Sequence, residues 1–380
     1  MLVSGLIVRK KRTIASKEIR SILINRTDRL GDAVISLPFL MELSKRFEIT
    51  VLTSGYNDFI LRDFLKTRVF IEEPPTFFKD VMMILGHSVH FRTPGKKTSA
   101  PEYDLYLGLT GIRGLNIFLK AKKQNLCRYY ADFNLGPWNL LLDYAAPGNP
   151  VLFAKTHILD SYRQSLKKSL NLNLDVPDYV DFGSRAIKPK NLNIEEPYIL
   201  VNILGFNRFR GPTPGMFAEI LNQIGFAGTI VVMDELGQPN LEEFKKHIRK
   251  SEIIYLEEDY TAWELLYLSR HSLLYIGSDS GITQFLEKAT NSLIFFGNGS
   301  FLAWGPYSKN DYQRKKAGGL VIGEARNSAG LVKKIIYRPV WCRPCFDIGC
   351  RTYRCISRIN TGMVASEIDA TLNKNLTPFR

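Results

Sequence analysis

Short apolar runs alternate with amphipathic stretches along both halves of the chain. Ile22 to Ile24 reads as a buried strand, and a polar turn closing on Gly31 and Asp32 leads into an amphipathic helix over Ala33 to Phe47. Glu48 to Thr53 follows as a strand, Phe59 to Leu65 as a short helix and Arg68 to Ile71 as a strand. Phe78 to Leu85 reads as helical, Tyr103 to Leu109 as a strand, Leu115 to Lys122 as a helix and Leu126 to Tyr130 as a strand. Strands separated by helices predict βαβ units and a parallel sheet.

The pattern breaks over Trp138 to Val151, which holds two prolines and a glycine. His157 to Leu170 is an amphipathic helix, after which Pro177, Pro189 and Pro197 punctuate a polar stretch. The connection between domains is placed there. A second series then begins with strand Tyr198 to Leu204 and continues through helix Met216 to Ile224 and strand Gly228 to Met233. Helix Asn240 to Lys250, strand Ile253 to Leu256 and helix Thr261 to Ser269, capped by Thr261, come next. Strand Ser272 to Ile276, the turn Gly277 to Gly281, helix Ile282 to Lys288 and strand Ser292 to Phe296 complete it. Two such series predict an α/β protein with two doubly wound domains facing each other across a cleft. The expected organisation is a basic leader (1–20), a first domain (21–150), a linker with a helix (151–196) and a second domain (197–380) ending in a cysteine-rich segment.

Charge narrows the class of partner. The chain carries 51 basic against 37 acidic residues, a formal net charge of +14. Such an excess favours anionic ligands: nucleic acid, anionic lipid, sugar phosphates or nucleotide sugars. The apolar stretch Leu2 to Val8 precedes the charges Arg9 to Arg12, the reverse of a signal peptide. No run reaches the ~18 apolar residues of a spanning helix, so a cytoplasmic chain is expected. The leader reads as a solvated tail, with contact to a membrane surface as the alternative.

Four groups of residues carry candidate chemistry. Asp32 stands at the carboxyl end of the first strand, where open α/β sheets bind ligands, beside Arg26 and Arg29. It is placed to take a proton from a substrate hydroxyl, and the competing reading is an N-cap. Gly277-Ser-Asp279-Ser280-Gly281-Ile-Thr-Gln284 lies between a strand and a helix, where N–H groups and small residues form an anion site; a tight turn capped by Asp279 is the plainer reading. Arg208 and Arg210 follow the strand starting at Tyr198 and suit phosphate oxygens. Asp234 and Glu235 follow the next strand and suit ribose hydroxyls. Last, Cys342, Cys345, Cys350 and Cys355, four of the five cysteines, fall within fourteen residues. Four thiolates so close suit one tetrahedral zinc or iron in a structural role, with disulfides disfavoured in a reducing cytosol. Cys127 reads as core, and His87, His90, His157, His247 and His271 form no ligand pair.

The run Ile22-Leu-Ile-Asn-Arg-Thr-Asp-Arg-Leu-Gly-Asp-Ala-Val-Ile-Ser-Leu-Pro38 resembles the opening signature of family-nine glycosyltransferases, the lipopolysaccharide heptosyltransferases. The Asp279 turn is similar to the Asp-Thr/Ser-Gly motif of the same family, although Thr283-Gln284-Phe285 stands where Ser-His-Leu is usual. The cysteine cluster resembles the tail of many members, and an iron-binding form of it resembles the autotransporter branch. The resemblance implies a GT-B fold and inverting transfer of heptose from ADP-heptose to an acceptor hydroxyl, without a catalytic cofactor. It implies Asp32 as general base, and Arg208 or Arg210 with Asp279, Ser280, Gly281 and Gln284 on the donor, where Glu235 is the candidate for the ribose. Arg26 and Arg29 would bind an anionic glycan, glycolipid or protein acceptor, with peripheral contact at the inner face of the inner membrane. The alternatives are another nucleotide sugar or a protein acceptor, or a non-catalytic protein binding anions or nucleic acid through a zinc module. No aromatic pattern of a nucleic-acid module accompanies the basic residues.

Overall fold

The computed structural model describes residues 18–27, 29–55, 57–65, 68–71, 102–109, 115–123, 125–132, 144–145, 156–203, 210–234, 239–343, 345, 350 and 352–376. It divides into two compact units, Met1–Val151 with Ile158–Val176 and Leu152–His157 with Pro177–Arg380. In the first, β1 (Ser21–Arg26), β2 (Glu48–Thr53), β3 (Arg68–Ile71), β4 (Tyr103–Gly108), β5 (Cys127–Asp132) and β6 (Tyr144–Ala145) form a parallel sheet in the order β3-β2-β1-β4-β5-β6. Ile22, Leu23 and Ile24 of its central strand are all buried. A strand covered on both faces reads as a continuous apolar run rather than an alternating one.

The second unit repeats the plan. It contains β7 (Tyr198–Asn202), β8 (Thr229–Met233), β9 (Ile253–Leu256), β10 (Tyr275–Ser278), β11 (Ser292–Phe295), β12 (Gln313–Ala317), β13 (Leu320–Arg326) and β14 (Val332–Tyr337). The order is β12-β13-β14-β11-β10-β7-β8-β9. The run from β9 to β14 is parallel and repeats the strand order of the first sheet, whereas β12 and β13 pair antiparallel and add a hairpin to β14. In each sheet the order reverses at one place, between β1 and β4 and between β7 and β10. Such switch points open a crevice at the strands' carboxyl ends.

Most predicted elements are found within a few residues of their expected bounds. The first helix is Leu30–Ser44, so it begins at Leu30 rather than Ala33. Helix Ile158–Leu170, expected within a linker, belongs to the first unit, where Tyr162 packs on Phe39 with ring centroids 5.4 Å apart. The predicted capping of helix Ala262–His271 is present as a full capping box, Thr261 with Glu264. The predicted helix Phe78 to Leu85 lies outside the described residues. Cys127 is core, as expected, and burial pushes its thiol well above the usual range.

Beneath the second sheet lies a buried charge cluster. The Glu287 carboxylate, fully buried, has the Lys288 ammonium at 2.6 Å and that of Lys333 at 2.9 Å. Burial alone would raise the Glu287 pKa, yet the two ammonium groups hold it below the ordinary carboxylate value. His157 lies in the same field, its Nε2 3.0 Å from the Gly305 carbonyl. Burial, reinforced by Lys288, pushes its pKa down to about 3. The unfolded chain, with a histidine pKa near 6.5, then takes up this proton first. Stability owed to neutral His157 is therefore complete above that value and is lost as pH falls toward about 3. Urea unfolding between pH 7 and pH 4 should show a slope of up to about 1.4 kcal/mol per pH unit that His157→Gln removes. Identical slopes in both proteins would mean that His157 titrates freely in the fold.

Candidate active site

The two strongest sequence motifs sit at the two switch points. At the first, β1 ends in Asn25 and Arg26 and the chain enters helix Leu30–Ser44 through Arg29, its N-cap, which makes no side-chain cap bond. Asp32 is therefore a residue of the helix's first turn and not its cap. Its carboxylate, 18% exposed, lies 3.6 Å from Nη2 of Arg26. A negative charge in a first turn is favoured by the helix dipole. Arg26, expected to meet an acceptor, is buried behind Asp32 instead. Its Nη1 donates to the Leu109 carbonyl and the Tyr162 hydroxyl, each at 3.2 Å. It thus orients the carboxylate and keeps a positive charge beside it. Arg29 is exposed.

At the second switch point, Arg210 follows β7 and Asp279 follows β10. Nη1 of Arg210 lies 3.2 Å from Oδ2 of Asp279 and donates to the Asp279 carbonyl at 3.4 Å. The Arg210 carbonyl accepts from the Gly297 N–H at 2.8 Å, which ties this turn to the one after β11. Gly211 permits the approach: a Cβ there would stand 1.8 Å from Oγ and 2.5 Å from Cβ of Ser278. Arg210 is thus placed on Asp279; Arg208 and Glu235 lie outside the described residues.

The turn itself is pinned by polar contacts. Ser280 caps helix Gly281–Leu286, its Oγ accepting from the Thr283 N–H and donating to Thr283 Oγ1 at 3.0 Å. Thr283 Oγ1 lies 2.8 Å from the Tyr275 hydroxyl, which accepts from Asn202 Nδ2 at 3.2 Å. The first unit holds the matching pair, Asn25 Nδ2 donating to the Tyr106 hydroxyl at 2.9 Å. In both sheets an asparagine at the end of the first strand thus grips a tyrosine of the fourth and fixes the switch point, a detail the motifs alone did not reveal. Among the described residues the N–H groups of Ser280, Gly281 and Ile282 donate to no protein acceptor. Gln284, expected on the donor, is 3% exposed and donates to the Trp304 carbonyl at 2.7 Å, so it supports the site's wall.

The four clustered cysteines all lie in the second unit. Cys342 is exposed, Cys345 and Cys350 are half-buried, Cys355 is buried, and none is in a disulfide. Among the described residues no three His, Cys, Asp or Glu side chains are grouped to hold a metal ion. Cys355 is packed in the second unit's core, with Cys342 and Cys345 within electrostatic reach of its thiol. Burial raises the Cys355 pKa, and the Arg343 guanidinium opposes the rise. Among the described residues no helix is long and apolar enough to cross a membrane.

Two Rossmann-like sheets of one strand order, each with charged side chains at its switch point, define a GT-B fold. Solved structures similar to this chain include glycosyltransferases of that fold. One is the family-nine glycosyltransferase from Veillonella parvula, with TM-score 0.62, 12% identity and coverage of 96% of this chain and 100% of that one. A second is the ADP-heptose lipopolysaccharide heptosyltransferase II of E. coli, with TM-score 0.58, 13% identity and coverage of 94% and 100%. A third is TibC of enterotoxigenic E. coli, an iron-containing dodecameric glycosyltransferase, with TM-score 0.52, 13% identity and coverage of 96% and 79%. No protein-family model matches the chain, and no curated protein matches it in sequence.

Proposed function

We propose that this protein is a glycosyltransferase that moves a sugar, best read as heptose, from a nucleoside-diphosphate donor such as ADP-heptose to an acceptor hydroxyl. The observation that carries the reading is the Arg210–Asp279 pair at the second switch point, set beside unpartnered N–H groups. A carboxylate held against a guanidinium there divides the labour that a nucleotide sugar requires. Asp279 accepts from sugar hydroxyls, and Arg210 with the N–H groups of Ser280 and Gly281 receives the diphosphate, whose charge grows as it leaves. At the first switch point Asp32 takes the acceptor proton while Arg29 offers a charge to an anionic acceptor. The acceptor oxygen bonds to the anomeric carbon as the bond from that carbon to the diphosphate breaks, which inverts the centre. Arg26 aims Asp32 through the ion pair described above.

Calorimetry with ADP, followed by incubation of ADP-heptose with a deacylated lipopolysaccharide core, tests the reading. Tight ADP binding and release of ADP that depends on the core are expected. A protein that binds neither ADP nor the nucleotide sugar overturns it.

A further inference from the structure

The cysteine-rich segment has a contact that its thiols do not explain. Arg343, between Cys342 and Cys345, reaches across to the turn after β11 and donates from Nη2 to the Gly299 carbonyl at 2.7 Å. The next carbonyl back, that of Asn298, accepts from the Cys345 N–H at 3.0 Å. Two successive carbonyls of this turn are thus held on the side of the cysteine segment. Arg343 is itself seated: its guanidinium lies 4.5 Å from the ring centre of Tyr337, which stacks on Phe301. On its other flank the turn touches the Asp279 site. Gly297 donates to the Arg210 carbonyl, and a Cβ on Gly299 would come within 2.8 Å of Oδ2 of Asp279.

A trans peptide carries its C=O and N–H on opposite sides. Pinning the carbonyls of Asn298 and Gly299 against Arg343 and Cys345 therefore turns the N–H groups of Gly299 and Ser300 away from the cysteine segment. Among the described residues neither N–H donates to a protein acceptor. Successive N–H groups directed one way make a concavity that suits an anion.

We propose that Arg343 is a positioning residue for the donor: by holding the Gly299 carbonyl it presents the Gly299 and Ser300 N–H groups to the diphosphate bound beside Arg210 and Asp279. The inference rests on the donor reading above and gives the cysteine-rich segment a task there that needs no metal. Asp279, Cys345, Cys355 and Tyr337 all lie within electrostatic reach of the guanidinium, whose burial lowers its pKa to about 10. The group still remains charged at neutral pH.

The test compares ADP with adenosine by calorimetry on the full chain. Arg343→Met should weaken ADP by about tenfold, the worth of one hydrogen bond to a charged ligand, and leave adenosine unchanged. Arg343→Lys, whose ammonium still reaches for the carbonyl, should recover most of the loss. Arg343→Gln, a neutral donor, replaces the Met variant if that fails to fold, and the loss should again be confined to ADP. Unchanged ADP affinity in the folded variants overturns the proposal, as does an equal fall for adenosine, which marks general loosening. Wild-type protein that does not bind ADP removes the donor reading first, before any substitution is made.

Discussion

Asp32→Asn is expected to lower the rate of sugar transfer by about 10²–10⁴-fold, the usual worth of a positioned general base. Asparagine keeps the shape of the carboxylate but cannot take a proton, so the acceptor hydroxyl must attack without assistance. The helix should survive the change, because its N-cap is Arg29 and Asp32 makes no cap bond. Among the described residues the partner that loses is Arg26, whose Nη1 keeps the Leu109 and Tyr162 oxygens. Affinity for ADP should hold, since every donor contact argued here belongs to the second unit. Single-turnover transfer and ADP calorimetry on one preparation separate the two effects. A variant that transfers at near the wild-type rate would reduce Asp32 to a first-turn charge that merely suits the helix dipole.

The second large effect is expected from the smallest change, Gly211→Ala. Turning the Ser278 hydroxyl aside clears Oγ but not Cβ, which would remain 2.5 Å from the new methyl group. The backbone must therefore shift, and with it Arg210, which holds Asp279 through its side chain and Gly297 through its carbonyl. Donor affinity should fall by roughly ten- to a hundredfold, as when one or two hydrogen bonds to a charged group are lost. Adding Ser278→Gly removes the obstructing atoms and should restore most of the affinity. If the single variant binds ADP as wild type does, the packing of Gly211 on Ser278 does not place Arg210.

Strands buried on both faces were legible in the sequence, because a parallel sheet writes itself as short apolar runs such as Ile22 to Ile24 and Ser292 to Phe296. The hairpin β12–β13 and its neighbour β14 were not. Gln313 to Lys316 is wholly polar, and Val332 to Tyr337 is interrupted by Lys333 and Lys334, both buried only because carboxylates await them. Periodicity cannot see a charge whose partner lies far along the chain. The same limit shaped the site. Asp32 and Asp279 stood out because each follows a strand, and topology brought both to switch points. Arg26 looked like a surface cation because the Leu109 and Tyr162 oxygens that bury it are supplied by distant segments. Cysteine spacing pointed to a metal, but it could not show the bond that Arg343, between two of the cysteines, makes to the Gly299 carbonyl of a distant turn.

The outermost strand of the second sheet has a consequence for how copies of the chain meet. Among the described residues β12 pairs only with β13, which leaves the N–H and C=O groups of its other edge without a strand partner. Bare edges of this kind template pairing with further chains. Here the edge reads Gln313, Arg314, Lys315, Lys316, exposed throughout and free of β-branched or aromatic side chains. A second molecule approaching strand to strand would set guanidinium and ammonium groups against their own kind, which is unfavourable across a ladder. The basic strand that hid the hairpin from a reading of hydrophobicity is thus also what guards it against sheet-to-sheet aggregation.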